Sequence, residues 1–232
     1  MILGEDNQKM SKSRGNVVNP DDIVREFGAD SMRVYEMFLG PLEVSKPWAT
    51  AGLVGVSRFL ERVWSMGEKP LVDAELAPEQ LKLLHKTIKK VTGDTSTLNF
   101  NTAISQMMIF ANEAGKLEKM PRALMDPFVR LLAPYAPHLG EELWQRLGMK
   151  ESVSRALWPK YDESLCVDEE KEIVVQVNGK IRERFMAKVD SPEAELEATA
   201  RALPKVREWT EGKEIAKVIV VKGRLVNIVV KG

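Results

Sequence analysis

The chain has 232 residues, 44% hydrophobic and 29% charged, with 34 Lys and Arg against 34 Asp and Glu. This length allows one large domain or two smaller ones; the even charge excludes a polyanion bias of the whole chain, and there is neither a signal peptide nor an apolar run near the roughly 18 residues of a membrane span. A single Cys166 excludes an intramolecular disulfide framework and fits a reducing, cytoplasmic setting, and with only His85 and His138 beside it no metal site is expected.

Met1-Ile2-Leu3 reads as a strand and Glu5-Asp6-Asn7 as a turn. Nothing earlier in the sequence is available to pair with that strand, so it reads as a piece of something larger. Lys9-Met10-Ser11-Lys12-Ser13-Arg14-Gly15-Asn16 follows, with two lysines three apart, two hydroxyls and a Gly-Asn turn. Such a loop suits a polyphosphate, because ammonium groups are movable point charges and backbone N–H groups add donors. The plainer alternative is an ordinary basic surface turn. Asn19 is a good N-cap, Pro20 fits the first helical position, Asp21 and Asp22 favour the positive end of a helix, and Gly28 stops it. Asp30 reads as the cap of a second helix, with Val34, Met37 and Phe38 on one face and Gly40-Pro41 at its end.

Residues 50–66 predict a long helix, with Leu53, Val56, Leu60, Val63 and Trp64 at helical spacing and Gly67 closing it. Pro78 opens the next, carrying Leu81, Leu84, Ile88 and Val91. A third spans about 101–119, with Ile104, Met107, Met108 and Ala111 inward. A fourth runs from Pro121 toward Leu147, and Pro127, Pro134 and Pro137 must kink or split it. Four amphipathic segments on short connections make a helical bundle over 49–160. The methionine stripe reads as core packing. His138 reads as a turn or helix-start residue, and His85 as a partly buried bundle residue.

Residues 161–171 read as an acid-rich linker, after which the period changes from 3.6 to 2. Strands at 173–177 and 181–187 flank Asn178-Gly179, the strongest short hairpin signal. Ser191 predicts a cap and Pro192 a first helical position, and residues 204–209 suggest a second short helix. Strands at 215–221 and 225–230 flank Lys222-Gly223. The expected fold is therefore mainly α, followed by a small α+β domain of order ββααββ at 172–232. Residues 171–232 carry 13 basic against 9 acidic residues, which fits a nucleic-acid backbone or simply a solvated surface.

Lys9-Met10-Ser11-Lys12-Ser13 resembles the second signature of class I aminoacyl-tRNA synthetases, and Gly15-Asn16-Val17-Val18 with Pro20-Asp21-Asp22 continues the likeness. Phe27 through Arg33 resembles the helix that follows in the leucyl, isoleucyl and valyl enzymes. Phe38-Leu39-Gly40-Pro41 and Trp48 resemble the leucyl family in particular. Phe100 through Ser105, Met107, Met108 and Asn112 resemble its tRNA-binding helical domain, as do Leu132-Ala133-Pro134, Pro137-His138 and Glu141-Glu142-Leu143-Trp144. The ββααββ tail resembles that family's terminal domain, which reaches the tRNA elbow. The likeness covers nearly the whole chain and is to the carboxy-terminal part of bacterial-type leucyl-tRNA synthetases. No His-x-Gly-His and no G-x-G-x-x-G phosphate turn occurs.

The resemblance implies that the loop closes over ATP, with its Mg2+ carried by the nucleotide, and that Lys12 stabilises departing pyrophosphate with Lys9 as auxiliary. Met10, Ser11 and Ser13 complete the ATP-binding segment, and Asn16 supplies or organises polar contacts. Implied partners are tRNA(Leu), ATP and the amino-terminal catalytic and editing portion, without which the chain is expected to be inactive. A laboratory-made piece, a natural split subunit and a fragmentary gene all remain open, as does a stand-alone RNA-binding or scaffolding module with a vestigial loop. Lys82, Lys86, Lys89 and Lys90 repeat on the polar side of one helix, either toward phosphates or as a solvated face. Lys180, Arg182 and Arg184 alternate along one strand and so are expected to share a face, a candidate RNA-contacting edge.

Overall fold

In a computed structural model, which describes residues 1–167, 170–221 and 223–231, the chain divides into two units, Met1–Cys166 and Val167–Gly232. The first unit runs β1 (Ile2–Leu3), α1 (Pro20–Phe27), α2 (Ala29–Phe38), β2 (Lys46–Pro47), α3 (Thr50–Gly67), β3 (Leu71–Val72), α4 (Pro78–Ser96), α5 (Phe100–Ala114), β4 (Met120–Pro121), α6 (Arg122–Leu132) and α7 (Pro137–Arg146). Local chemistry sets the early boundaries. The Asn19 side chain accepts the Asp21 N–H at 3.2 Å, and Gly28 ends α1 at φ +88°, a conformation glycine adopts without a Cβ penalty.

Two sequence expectations change here, and the expected split of the fourth bundle segment holds. β1 has a partner after all: it pairs in parallel with β2, Ile2 opposite Lys46 and Leu3 opposite Pro47, using a strand that lies later in the chain. The third bundle helix, α5, stops at Ala114 rather than near 119, because the chain turns to place β4 beside β3. The Lys69 ammonium takes the Gly115 and Leu117 carbonyls freed by that turn. The proline-interrupted fourth segment splits into α6 and α7, with Pro127 accommodated inside α6 and Pro137 in the first turn of α7.

The core of this unit joins Leu53, Val56, Val63, Ile88, Val91, Ile104, Met107, Phe110, Leu124 and Phe128, all fully or almost fully buried. Phe110 stacks on Phe128 with centroids 4.4 Å apart. Burying side chains of this size contributes about 1.5–3 kcal/mol each. Met107 lies in the core, as the methionine stripe suggested, and Met108 packs partly buried against it.

The second unit runs β5 (Glu170–Val177), β6 (Lys180–Lys188), α8 (Glu193–Ala202), α9 (Pro204–Thr210), β7 (Ile215–Val221) and β8 (Leu225–Val230). This is the expected ββααββ order, so the fold is mainly α followed by a small α+β unit. The sheet order is β6-β5-β8-β7, two antiparallel hairpins joined by the parallel pair β5 and β8. Asn178 (φ +49°) and Gly179 (φ +77°) form the first hairpin turn. The Asn178 side chain also ties it to β8, accepting Val230 N–H at 2.9 Å. Ser191 lies one residue ahead of its expected place: the cap position of α8 is Pro192, whose carbonyl accepts the Glu195 and Leu196 N–H groups. Lys222, in the second expected turn, lies outside the described residues. Ile173, Val175, Val177, Leu196, Ala200, Val206, Val226 and Ile228 form a separate core.

Candidate functional site

The cationic loop is an ordered turn, tied down at its base and exposed at its tip. Residues Lys12–Arg14 make one 3-10 turn, closed by Gly15 at φ +67°, whose N–H donates to the Lys12 carbonyl at 3.2 Å. Asn16 is the knot. Its Oδ1 accepts the Ser11 N–H at 2.9 Å, and its Nδ2 donates to the Asp6 carboxylate at 3.1 and 3.0 Å. Asp6 also accepts the Gln8 N–H at 3.0 Å. These bonds, the Asn16 amide first, hold the Asp6 carboxyl below its ordinary value near 3.8.

Gly4 makes the knot possible, since a Cβ there would meet Asp6 Oδ1 at 2.7 Å and Asn16 Nδ2 at 2.9 Å. Met10 is half-buried against the core, whereas Lys9, Lys12, Ser13 and Arg14 are exposed. The Ser11 and Ser13 hydroxyls lie 3.2 Å apart. Thus Met10 anchors the loop, Ser11 and Asn16 shape it, and both lysines are left exposed. Asp6, which the sequence showed only as part of a turn, is the acid that holds the loop closed.

The loop is fastened to the bundle from both directions. Ahead of it, Glu5 Oε1 accepts the Thr50 hydroxyl at 2.9 Å at the start of α3. Behind it, α1 leads into α2, and there Asp30 departs from expectation. It does not cap its own helix, whose cap position is Gly28. Its carboxylate instead accepts the Leu139 N–H at 2.7 Å and the His138 N–H at 3.4 Å, and meets His138 Nδ1 at 2.8 Å. Asp30 therefore caps α7, and His138 is the helix-start residue that the prolines suggested. The acid is 9% exposed and sits at the positive ends of two helices at once.

The lysine row on α4 is partly engaged by the chain itself. Residues 158–166 run along this helix: Trp158 Nε1 donates to Thr92 Oγ1 at 2.8 Å, and the Asp162 N–H donates to His85 Nδ1 at 2.8 Å. Glu163 pairs with Lys89, holding that ammonium above its ordinary range. Lys90 pairs with Asp94 at 2.8 Å. The stretch expected as a linker thus includes a 3-10 turn, Glu163–Cys166, packed on α4, and Glu170 and Lys171 already belong to β5. Lys82 and Lys86 are half-buried on the same helix.

On β6 a bulge breaks the expected comb. Val175 pairs with Glu183 and Gln176 with Ile181, which leaves Arg182 as the extra residue. Arg184 then lies opposite Val174 on the outer face, while Lys180 lies opposite Val177 of the core-facing row, so the three basic residues do not share one face. Arg182 stacks its guanidinium 3.3 Å from the ring centroid of Trp209 on α9, and its Nε is buried without a hydrogen bond among the described residues. Arg184 pairs with Glu172 at 3.2 Å on the surface, and Lys180 is exposed.

Among the described residues, no group of three or more His, Cys, Asp or Glu side chains is placed to hold a metal ion, and no helix is long and apolar enough to cross a membrane. The family described as the anticodon-binding domain of tRNA ligase matches residues 79–198, and that of class I tRNA synthetases (I, L, M and V) matches residues 1–43. A leucine–tRNA ligase of Borreliella burgdorferi (strain ZS7) is 53% identical over 224 residues, covering 96% of this chain and 27% of the relative. A crystal structure of the ternary complex of an Agrobacterium radiobacter K84 LeuRS with tRNA and LeuAMS matches 100% of this chain and 32% of its own, with a TM-score of 0.70 and 31% identity. The chain thus spans about a quarter to a third of the length of these relatives.

Proposed function

The chain belongs to the leucyl-tRNA synthetase family and carries its anticodon-binding domain, and from this premise we propose that it supplies the ATP-phosphate loop and tRNA-binding surfaces of a leucine–tRNA ligase. The reaction is ATP plus leucine plus tRNA(Leu) to leucyl-tRNA, AMP and pyrophosphate. The observation that carries this reading is the Asp6–Asn16 knot, which orders the loop while leaving Lys9 and Lys12 exposed together on it. Lys12 stabilises the charge that develops as pyrophosphate leaves, Lys9 adds to the field, and the backbone at Met10, Ser11 and Ser13 cradles the nucleotide, whose own Mg2+ neutralises the remaining phosphate charge.

Residues 1–48 act as the end of a catalytic domain, 49–160 as the tRNA-binding bundle with 161–166 packed on it, and the unit from Val167 onward as a further tRNA-binding domain. Lys180, exposed on β6, offers a phosphate contact, and Lys86, half-buried on α4 and already engaged within the chain, offers one by releasing its present partner. Arg184 and Lys89 join them by exchanging a surface carboxylate for a phosphate, a small loss because exposed pairs are worth only about 0–1 kcal/mol. Arg182 contributes indirectly, through its stack on Trp209. The partner is the amino-terminal catalytic portion of the ligase, and the setting is the cytoplasm, where translation takes place.

Leucylation by this chain mixed with the amino-terminal portion of the Borreliella relative tests the reading. Activity is expected in the mixture and not from this chain alone. Lys12→Ala is expected to slow ATP–pyrophosphate exchange by about 10²–10³-fold. Unchanged exchange in Lys12→Ala would overturn the assignment of the loop. Salt-sensitive tRNA binding without any complementation would instead mark a stand-alone RNA-binding module.

A further inference from the structure

The trans cap made by Asp30 has a use beyond holding α7. Together with Arg33, whose Nη2 donates to the Pro134 carbonyl at 3.1 Å, it ties α2 to the α6–α7 corner. Both partners lie about a hundred residues further along the chain. Asp30 stands two residues after Gly28, where the chain leaves α1, and α1 begins four residues after the Asn16 knot. A short covalent path therefore runs from the lysine loop through α1 to a fixed point on the bundle. α7 has no cap of its own, because Ala136 at its cap position offers no side-chain acceptor. The carboxylate thus satisfies two N–H groups that would otherwise end the helix without a partner.

We infer that Asp30, assisted by Arg33, is a positioning residue that keeps the lysine loop in register with the tRNA-binding bundle. Resting on the function proposed above, this assigns it a role in the step that needs ATP loop and tRNA aligned together, the transfer of leucine to tRNA. Formation of the adenylate needs the loop and ATP but not the bundle, so it should tolerate a loosened tie. Transfer should not, because misplacement by about 1 Å from a remote change can cost on the order of 100-fold in rate.

The test uses the assembled enzyme and three substitutions. Asp30→Ala is expected to leave ATP–pyrophosphate exchange within about twofold while single-turnover transfer falls roughly tenfold or more. Asp30→Asn keeps an oxygen for the Leu139 N–H, so it is expected to recover most of the transfer rate; Arg33→Met should fall between the two. Affinity for tRNA, read by filter binding to the chain alone, should stay within about twofold for all three. Exchange and transfer falling in parallel, or a lower melting temperature with no split between them, would reduce Asp30 to a structural cap and overturn the inference. Unchanged transfer in Asp30→Ala would overturn it too. Lys12→Ala run alongside separates the two ideas, since it fails in exchange only if the loop assignment holds.

Discussion

Asn16 does more for the loop than either lysine, because one amide closes both ends of the turn at once. Replacing it with alanine removes the Ser11 and Asp6 bonds together while leaving every charge in place. Tryptic cleavage after Lys12 and Arg14 in Asn16→Ala is expected to speed up several-fold, since local opening governs access to a folded loop. The knot also carries a pH signature. The Asp6 carboxyl lies below its ordinary 3.8 in the folded chain, so the tie is fully present above that value and is lost as pH falls through the lower one. NMR titration of the Asn16 side-chain amide is expected to be flat from neutrality to about pH 4 and to move only below it; a midpoint well above 4 would place the bond elsewhere. At this scale the sequence was legible where a residue acts on its neighbours, as Asn19, Pro20 and Asn178-Gly179 do. It was opaque where the partner is distant: nothing near Asp30 reveals that its hydrogen bonds go to residues 138 and 139.

Helix α2 shows how one element can be fixed from several sides. Its Tyr35 is 2% exposed, and the phenol both accepts the Ala49 N–H at 2.7 Å and donates to the Ala49 carbonyl at 2.9 Å, just ahead of α3. Burial raises the phenol's pKa, so it stays neutral and able to donate. Tyr35→Phe leaves both backbone groups without that partner, which is expected to cost about 1–3 kcal/mol and lower the melting temperature by several degrees. A shift below 1 °C in calorimetry would show that water replaces the hydroxyl. Strand β6 makes the complementary point. A strict two-residue period put Lys180, Arg182 and Arg184 on one face, and a single bulge undid it. Bulges of this kind depend on cross-strand register and leave no mark in a lone strand's sequence. The partner of Lys89 is hidden for a related reason, since its carboxylate, Glu163, lies in a stretch whose composition suggests only a linker.

Across the whole molecule, the two hydrophobic cores share no residue. The second is small, and a unit of this size carries only a few kcal/mol of stability. Ile228→Ala, at a fully buried position, is expected to remove about 2–5 kcal/mol. Thermal circular dichroism should then show the second unit melting early while the helical signal of the first keeps its midpoint. A single shared transition moving as one would refute the independence of the cores. The Arg182–Trp209 stack makes the same separation visible in another way. The other four tryptophans, Trp48, Trp64, Trp144 and Trp158, all lie in Met1–Cys166, so Trp209 is the lone indole of its unit. It is 43% exposed and pressed against a cation. The small sheet unit therefore carries its own optical label: with the other four replaced by phenylalanine, emission from a single ring would report the state of that unit alone.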